Sequence, residues 1–149
     1  MDKILILYDG ICVLCMRSVK FISKRDSGNR FIFARLESID SMDWQANMNH
    51  RGEWKSIIVI ADGRIFSYSD AIIRIVRDLG YPWKLFSILK WVPKFIRDAG
   101  YRFIAKIRYR VFGRLDQCWI PLGNEKDKFI TDEKLKVILE KINSNIPTH

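Results

Sequence analysis

Residues 8–15 read Tyr-Asp-Gly-Ile-Cys-Val-Leu-Cys, which sets Cys12 and Cys15 three residues apart with Asp9 three before the first. Two thiols at this spacing can divide the labour of disulfide exchange. One attacks a partner disulfide, and the other resolves the mixed disulfide from within the same turn. The chemistry needs one sulfur held as thiolate. A position at a helix N-terminus supplies that, because free backbone N–H groups and the positive end of the dipole stabilise the anion. Two other readings of the same residues stay open. Cys12, Cys15, Cys118 and His50 could form a Cys₃His zinc set, although the sequence offers no second ligand doublet. Both thiols could also be inert, since cysteine packs as a small hydrophobe. Asp9 could accept a thiol proton, oppose the thiolate by like charge, or serve a turn or helix cap.

The elements around the motif must place these groups. Lys3 to Tyr8 is an apolar, β-branched and aromatic run stopped by Asp9-Gly10, which suits a central strand covered on both faces. From Cys12 to about Arg25 the period turns helical, with Cys15, Val19 and Ile22 along one side and Arg17, Lys20 and Lys24 outward. Asp26 to Asn29 ends that helix, and Arg30 to Arg35 reads as a second strand, completing a βαβ unit. Residues 36 to 54 are ambiguous, with a partial helical stripe at Leu36, Ile39, Met42, Trp44 and Met48. Ser56 to Ala61 is a buried strand. Asp62-Gly63 turns it into Arg64 to Tyr68 as an antiparallel hairpin. Ser69 or Asp70 is placed to cap a helix with Ala71, Ile72, Ile75, Val76 and Leu79 on its apolar face, closing at Gly80.

From Pro82 the composition changes. Trp83 to Trp91 reads as helical and breaks at Pro93. Tyr101 to Arg114 forms another helix, with Phe103, Ile104, Ile107 and Val111 on one face and Arg102, Lys106, Arg110 and Arg114 every four residues on another. The Arg side chains of Tyr101–Arg114 could fold back near Cys12 and lower its pKa, meet anionic lipid beside Trp83, Phe86, Trp91 and Phe95, or track phosphates. A solvated face above an ordinary core is the plainer alternative. Cys118 could pack beside Trp119 or act as a further thiol. One amphipathic helix, about Asp132 to Ile142, lies in the tail.

The 149 residues fit one domain, and 48% hydrophobic with 29% charged residues excludes a disordered chain. Three cysteines cannot make a disulfide framework. The net charge of +9 favours an anionic contact without choosing it. Neither a signal peptide nor an 18-residue apolar span is read, so a cytoplasmic protein is expected, with peripheral contact at the inner membrane surface as an extension. No GxGxxG follows either early strand, and no bound cofactor is expected.

Tyr8 to Asp26 resembles the DCC family of predicted thiol–disulfide oxidoreductases, whose Asp and two Cys correspond here to Asp9, Cys12 and Cys15. Ala61 to Gly80, and Tyr101 to Arg114 followed by Cys118, agree with the same family. The resemblance implies an α/β, thioredoxin-like mixed sheet flanked by helices. It spans about residues 3–120, and the expected domain covers 1–120 with a basic and aromatic helical extension from about 82, leaving 121–149 as a charged helical tail. Two departures stand out. Gly52 to Ile60 has no proline where thioredoxins carry a cis-proline before the third core strand, a place Lys55 or Ser56 could take. The residues between the cysteines are Val-Leu rather than Gly-Pro.

The function expected is dithiol–disulfide exchange, with Cys12 as nucleophile, Cys15 as resolving thiol and Asp9 as helper. The partner would be a disulfide-containing protein or a low-molecular-weight thiol. Nucleic acid is the least favoured partner. The rival is a non-enzymatic binding module that meets an acidic partner or a membrane surface through the helices after Pro82.

Overall fold

The computed structural model describes residues 3–37, 57–116 and 123–145. Strand β1 (Ile4–Tyr8), helix α1 (Val13–Arg25) and strand β2 (Phe31–Arg35) form the expected βαβ unit, with Ile4 opposite Phe31 and Tyr8 opposite Arg35 in a parallel pair. Strand β3 (Ile58–Ala61) lies antiparallel to β1 on its other side, and β4 (Arg64–Ser67) lies antiparallel to β3. The order β2-β1-β3-β4, with helices against the sheet, is the thioredoxin-like arrangement. Asp62 and Gly63 both take positive φ, 53° and 66°, as the two-residue hairpin turn between β3 and β4 requires.

Strand β1 is apolar throughout because both its faces are covered. Ile4, Ile6 and Tyr8 join Val19, Ile22, Phe31, Phe33 and Val59 in one core, which Ala71 and Ile75 of helix α2 (Tyr68–Asp78) complete. Leu5 and Leu7 face the other way, into a second core. There Leu135 and Leu139 of helix α4 (Asp132–Asn145) are 0% and 2% exposed. The charged tail helix therefore buries its apolar stripe on the sheet. At roughly 1.5–3 kcal/mol per buried leucine, that packing is substantial.

Several local expectations change. The hairpin strand ends at Ser67, not Tyr68, and neither Ser69 nor Asp70 is the N-cap of α2, which is Ser67. Both residues tie α2 to the next helix instead. Ser69 donates to Asp98, while Asp70 pairs with Lys94 at 2.8 Å and Arg97 at 3.1 Å. The segment Trp83–Trp91 is a 3-10 helix with no buried residue. The following helix, α3, runs Lys94–Val111 rather than starting at Tyr101. Pro93 sets its beginning, and Gly100 lies inside it at a helix-propensity cost of about 1 kcal/mol. The largest difference is one of facing. Phe103, Ile104 and Val111 are 64%, 50% and 62% exposed, whereas Arg108, three residues after half-buried Ala105, is 3% exposed.

Residues 38–54 of the ambiguous segment, with His50 among them, lie outside the described residues, as do Lys55, Ser56, Cys118, Trp119 and His149.

Candidate active site

Strand β1 delivers Asp9, and the turn after it delivers Cys12 as the N-cap of α1. Asp9 is buried; its Oδ1 accepts the Ile11 N–H at 3.0 Å, which closes the turn. Cys12 Sγ accepts the Cys15 N–H at 3.3 Å, so the sulfur itself caps the helix. Thiolate stabilisation at a helix N-terminus thereby has a specific donor. Cys12 is fully buried and Cys15 is 8% exposed, and both are free thiols. The cover over Cys12 comes from the far end of α3. Cys12 and Arg114 form an antiparallel bridge, and the Leu115 N–H donates to Ile11 O at 2.9 Å.

Arg108 links the separate parts. Its Nη1 donates to Cys15 Sγ at 3.3 Å, and its Nη2 donates to Asp9 Oδ2 at 3.0 Å and to the Tyr109 hydroxyl at 2.9 Å. Tyr109 donates its own proton to Asp9 Oδ2. The Arg114 guanidinium stacks over the Tyr109 ring at 4.3 Å. Asp9 makes no contact with either sulfur among its hydrogen bonds. It holds the guanidinium that touches Cys15.

A second carboxylate approaches from β2. Glu37 Oε1 accepts the Gly10 N–H at 3.0 Å, and a Cβ on Gly10 would lie 3.4 Å from Glu37 Oε2 and 3.3 Å from Arg35 Cδ. The residue is exposed as a whole, but its carboxyl end turns inward. Desolvation there, reinforced by the Asp9 charge, raises its pKa.

The two thiols are driven apart. A hydrogen bond from the Cys15 thiol, then the Cys15 N–H and the Arg108 charge, hold Cys12 down to about 6 against burial and the Asp9 charge. The same hydrogen bond, with burial and the Cys12 charge, pushes Cys15 upward. One proton is shared by the pair, and the ionised form has its charge mainly on Cys12. Burial and the bond to Asp9 push Tyr109 up to about 12, so its hydroxyl stays a donor.

The three residues singled out from sequence, Asp9, Cys12 and Cys15, thus meet in one cluster. Arg108 joins them from the basic segment Tyr101–Arg114, one reading of which is a fold back toward Cys12, while Tyr109 and Glu37 join unannounced. Of the Arg/Lys stripe, Arg102, Lys106, Arg110 and Arg114 are exposed. Among the described residues, the cation hydrogen-bonded to a thiol is Arg108, on the opposite face. Glu37 is explained by strand register: two residues beyond the Tyr8–Arg35 pair, it falls beside Gly10. Among the described residues no group of three metal-ligating side chains converges.

A thioredoxin-like sheet thus carries two free cysteines at the N-terminus of its first helix. The chain belongs to the DCC1-like thiol-disulfide oxidoreductase family, whose model matches residues 6–114. It is 37% identical over 129 residues to the uncharacterized protein YuxK of Bacillus subtilis, covering 84% of this chain and 92% of that one. A chloroplastic DCC family protein of Arabidopsis thaliana is 33% identical over 120 residues, covering 76% and 67%. No solved structure matches the chain. Family membership supports a general thiol–disulfide oxidoreductase role.

Proposed function

We propose that the protein exchanges a Cys12–Cys15 dithiol with a disulfide in a protein or a small molecule. The Cys12 thiolate attacks a substrate sulfur, forming a mixed disulfide and releasing one substrate thiolate. Cys15 then loses its proton and attacks Cys12 Sγ. The second substrate thiolate leaves, and the protein disulfide remains. Reduction of that disulfide by another thiol resets the pair. The observation that carries this reading is the hydrogen-bonded chain Cys12–Cys15–Arg108–Asp9, which lowers one thiol and raises the other. Because Cys12 is fully buried, attack requires the Gly113–Leu115 segment to lift from it.

Single-cysteine variants test the division of roles. With a fluorescent dipeptide disulfide, Cys15→Ser should accumulate a mixed disulfide on Cys12, seen by intact mass, with turnover down at least a hundredfold. Cys12→Ser should form none. Trapping on Cys15 with Cys12 replaced would reverse the assignment.

A second reading concerns the segment after Pro82, which supports contact with an anionic lipid surface. Pro82 to Arg114 contains nine Lys or Arg and one Asp, nearly the whole of the net +9. Interleaved with these cations are Trp91 at 81% and Phe95 at 74% exposure, with Leu85, Phe86 and Ile88 also exposed. Basic side chains among outward apolar ones are the composition of an interfacial surface. No helix among the described residues is long and apolar enough to cross a membrane. Co-sedimentation should be strong with phosphatidylglycerol vesicles, weak with phosphatidylcholine, and reduced about tenfold or more by Trp91→Ala with Phe95→Ala. Equal binding to both lipids would contradict this reading.

A further inference from the structure

Cys15 has a second neighbour besides Cys12. It forms part of the wall of a cavity of about 490 Å³ between α1, α2 and α3. The volume lies in the range of sites for small organic molecules. Leu14, Phe21, Ile75, Leu79, Trp83 and Ile104 supply apolar wall, and Arg108 lines the same cavity. Arg108 Nε is buried and has no hydrogen-bond partner, although both terminal nitrogens of that guanidinium are engaged. A buried N–H without an acceptor costs about 1–3 kcal/mol, a cost the fold bears to hold the guanidinium against Cys15 and Asp9 at the cavity wall.

The chemistry of the walls narrows the ligand. Apolar side chains select an uncharged, flat or branched body, while Arg108 selects an oxygen that accepts a hydrogen bond. The only other cation in the wall, Arg17, is exposed, so a carboxylate would have to leave water for walls that are almost wholly apolar and lie beside the buried Asp9. A neutral carbonyl oxygen accepts the bond without that desolvation cost. The thiol in the wall adds the last condition, because a molecule resting on Cys15 touches one half of a two-electron couple.

Taking these together, we propose that the cavity binds a small neutral quinone and that the dithiol reduces it. The step balances. The Cys15 S–H bond breaks, its sulfur and the Cys12 thiolate form one S–S bond, and the two electrons released, with the Cys15 proton and one proton from water, convert the two quinone carbonyls to hydroxyls. Arg108 donates to the carbonyl oxygen as it gains negative character. The inference rests on the dithiol function proposed above and adds a second oxidant, which reaches the pair through Cys15 and not through the covered Cys12. Ile72 and Ile104, 40% and 50% exposed, lie where the cavity meets the surface.

The test uses the full chain, reduced and freed of reductant under anaerobic conditions. It is mixed with tetramethyl-1,4-benzoquinone, whose ring has no open position for thiol addition and elimination. Hydroquinone formation is followed by absorbance, and protein disulfide by mass. In parallel, the same protein reacts with 5,5′-dithiobis(2-nitrobenzoate). The expected result is one hydroquinone per chain with one intramolecular disulfide. Quinone reduction should slow at least tenfold in Ile104→Arg and in Ile72→Arg, while the aromatic disulfide reacts within twofold of the parent. Both substitutions sit at the surface, and an unchanged near-ultraviolet circular dichroism spectrum verifies each fold. Oxidation by the disulfide but not the quinone overturns the inference and leaves the dithiol function standing. Quinone reduction unaffected by either arginine overturns the cavity as its site. Oxidation by neither reagent removes the dithiol function and this inference with it.

Discussion

Replacing Arg108 with methionine is expected to lower the free energy of unfolding by about 3–5 kcal/mol in urea denaturation. The side chain is 3% exposed, and its partner Asp9 is buried with it. The substitution keeps the apolar stem but leaves the Asp9 carboxylate uncompensated, with the Ile11 N–H and the Tyr109 hydroxyl as remaining donors. Asp9→Asn made on top of Arg108→Met should restore part of the loss, because it removes the stranded charge. The double variant would then cost less than the sum of the single ones, which is the mark of a coupled pair. The same replacement should raise the Cys12 titration midpoint, read by thiolate absorbance near 240 nm. Its effect on that midpoint should be smaller than that of Cys15→Ala, since the Cys15 hydrogen bond is the largest influence. A cost below about 1 kcal/mol would mean that the pair is not held as described.

Stability should climb between pH 6 and pH 9, where many proteins are flat or declining. Cys12 falls from its ordinary 9.0 when unfolded to about 6 in the folded chain. Between those values the unfolded state carries a proton that the folded state has released, so stability rises with pH, by up to about 1.4 kcal/mol per unit. It is lost again as pH falls through 6. Cys15 has the opposite sign. Its pKa is raised on folding, so above pH 9 the unfolded state gives up a proton that the folded state keeps, and stability declines. Tyr109, raised to about 12, adds to that decline above pH 10. The net curve has its maximum near pH 9. Cys12→Ser should flatten the rise, as measured by melting at stepped pH. A parent protein already flat between 6 and 9 would contradict the assignment of the charge to Cys12.

The parts of this architecture set by local pattern were readable from the chain. Lys3 to Tyr8 is apolar at every position from Ile4 because each side chain has a covered face, and the sequence displays that directly. Asp62-Gly63 announces its turn because few other pairs tolerate two positive φ values. The helix after the cysteines, and the burial of Cys15, Val19 and Ile22, follow from spacing alone. What was not readable depends on contacts between distant segments. An apolar stripe at Phe103, Ile104 and Val111 points to a core, because burial of an arginine without a partner is prohibitive. The partner exists, but it is 99 residues away, and neither segment names the other. Hence the buried face of α3 is the one carrying Arg108, and the apolar face is exposed. Tyr109 and Glu37 were hidden for the same reason. Ser69 and Asp70 have the composition of a cap, yet Asp98, Lys94 and Arg97 engage them first.

The central claim is that Cys12 and Cys15 form one reversible redox couple. It is tested most directly by equilibrating the full chain in glutathione buffers of graded poise, alkylating the remaining thiols and reading the mass. The account predicts a two-electron transition of the Cys12–Cys15 pair between about −120 and −270 mV, the span of catalytic dithiols. Failure of that intramolecular disulfide to form at any poise would contradict it.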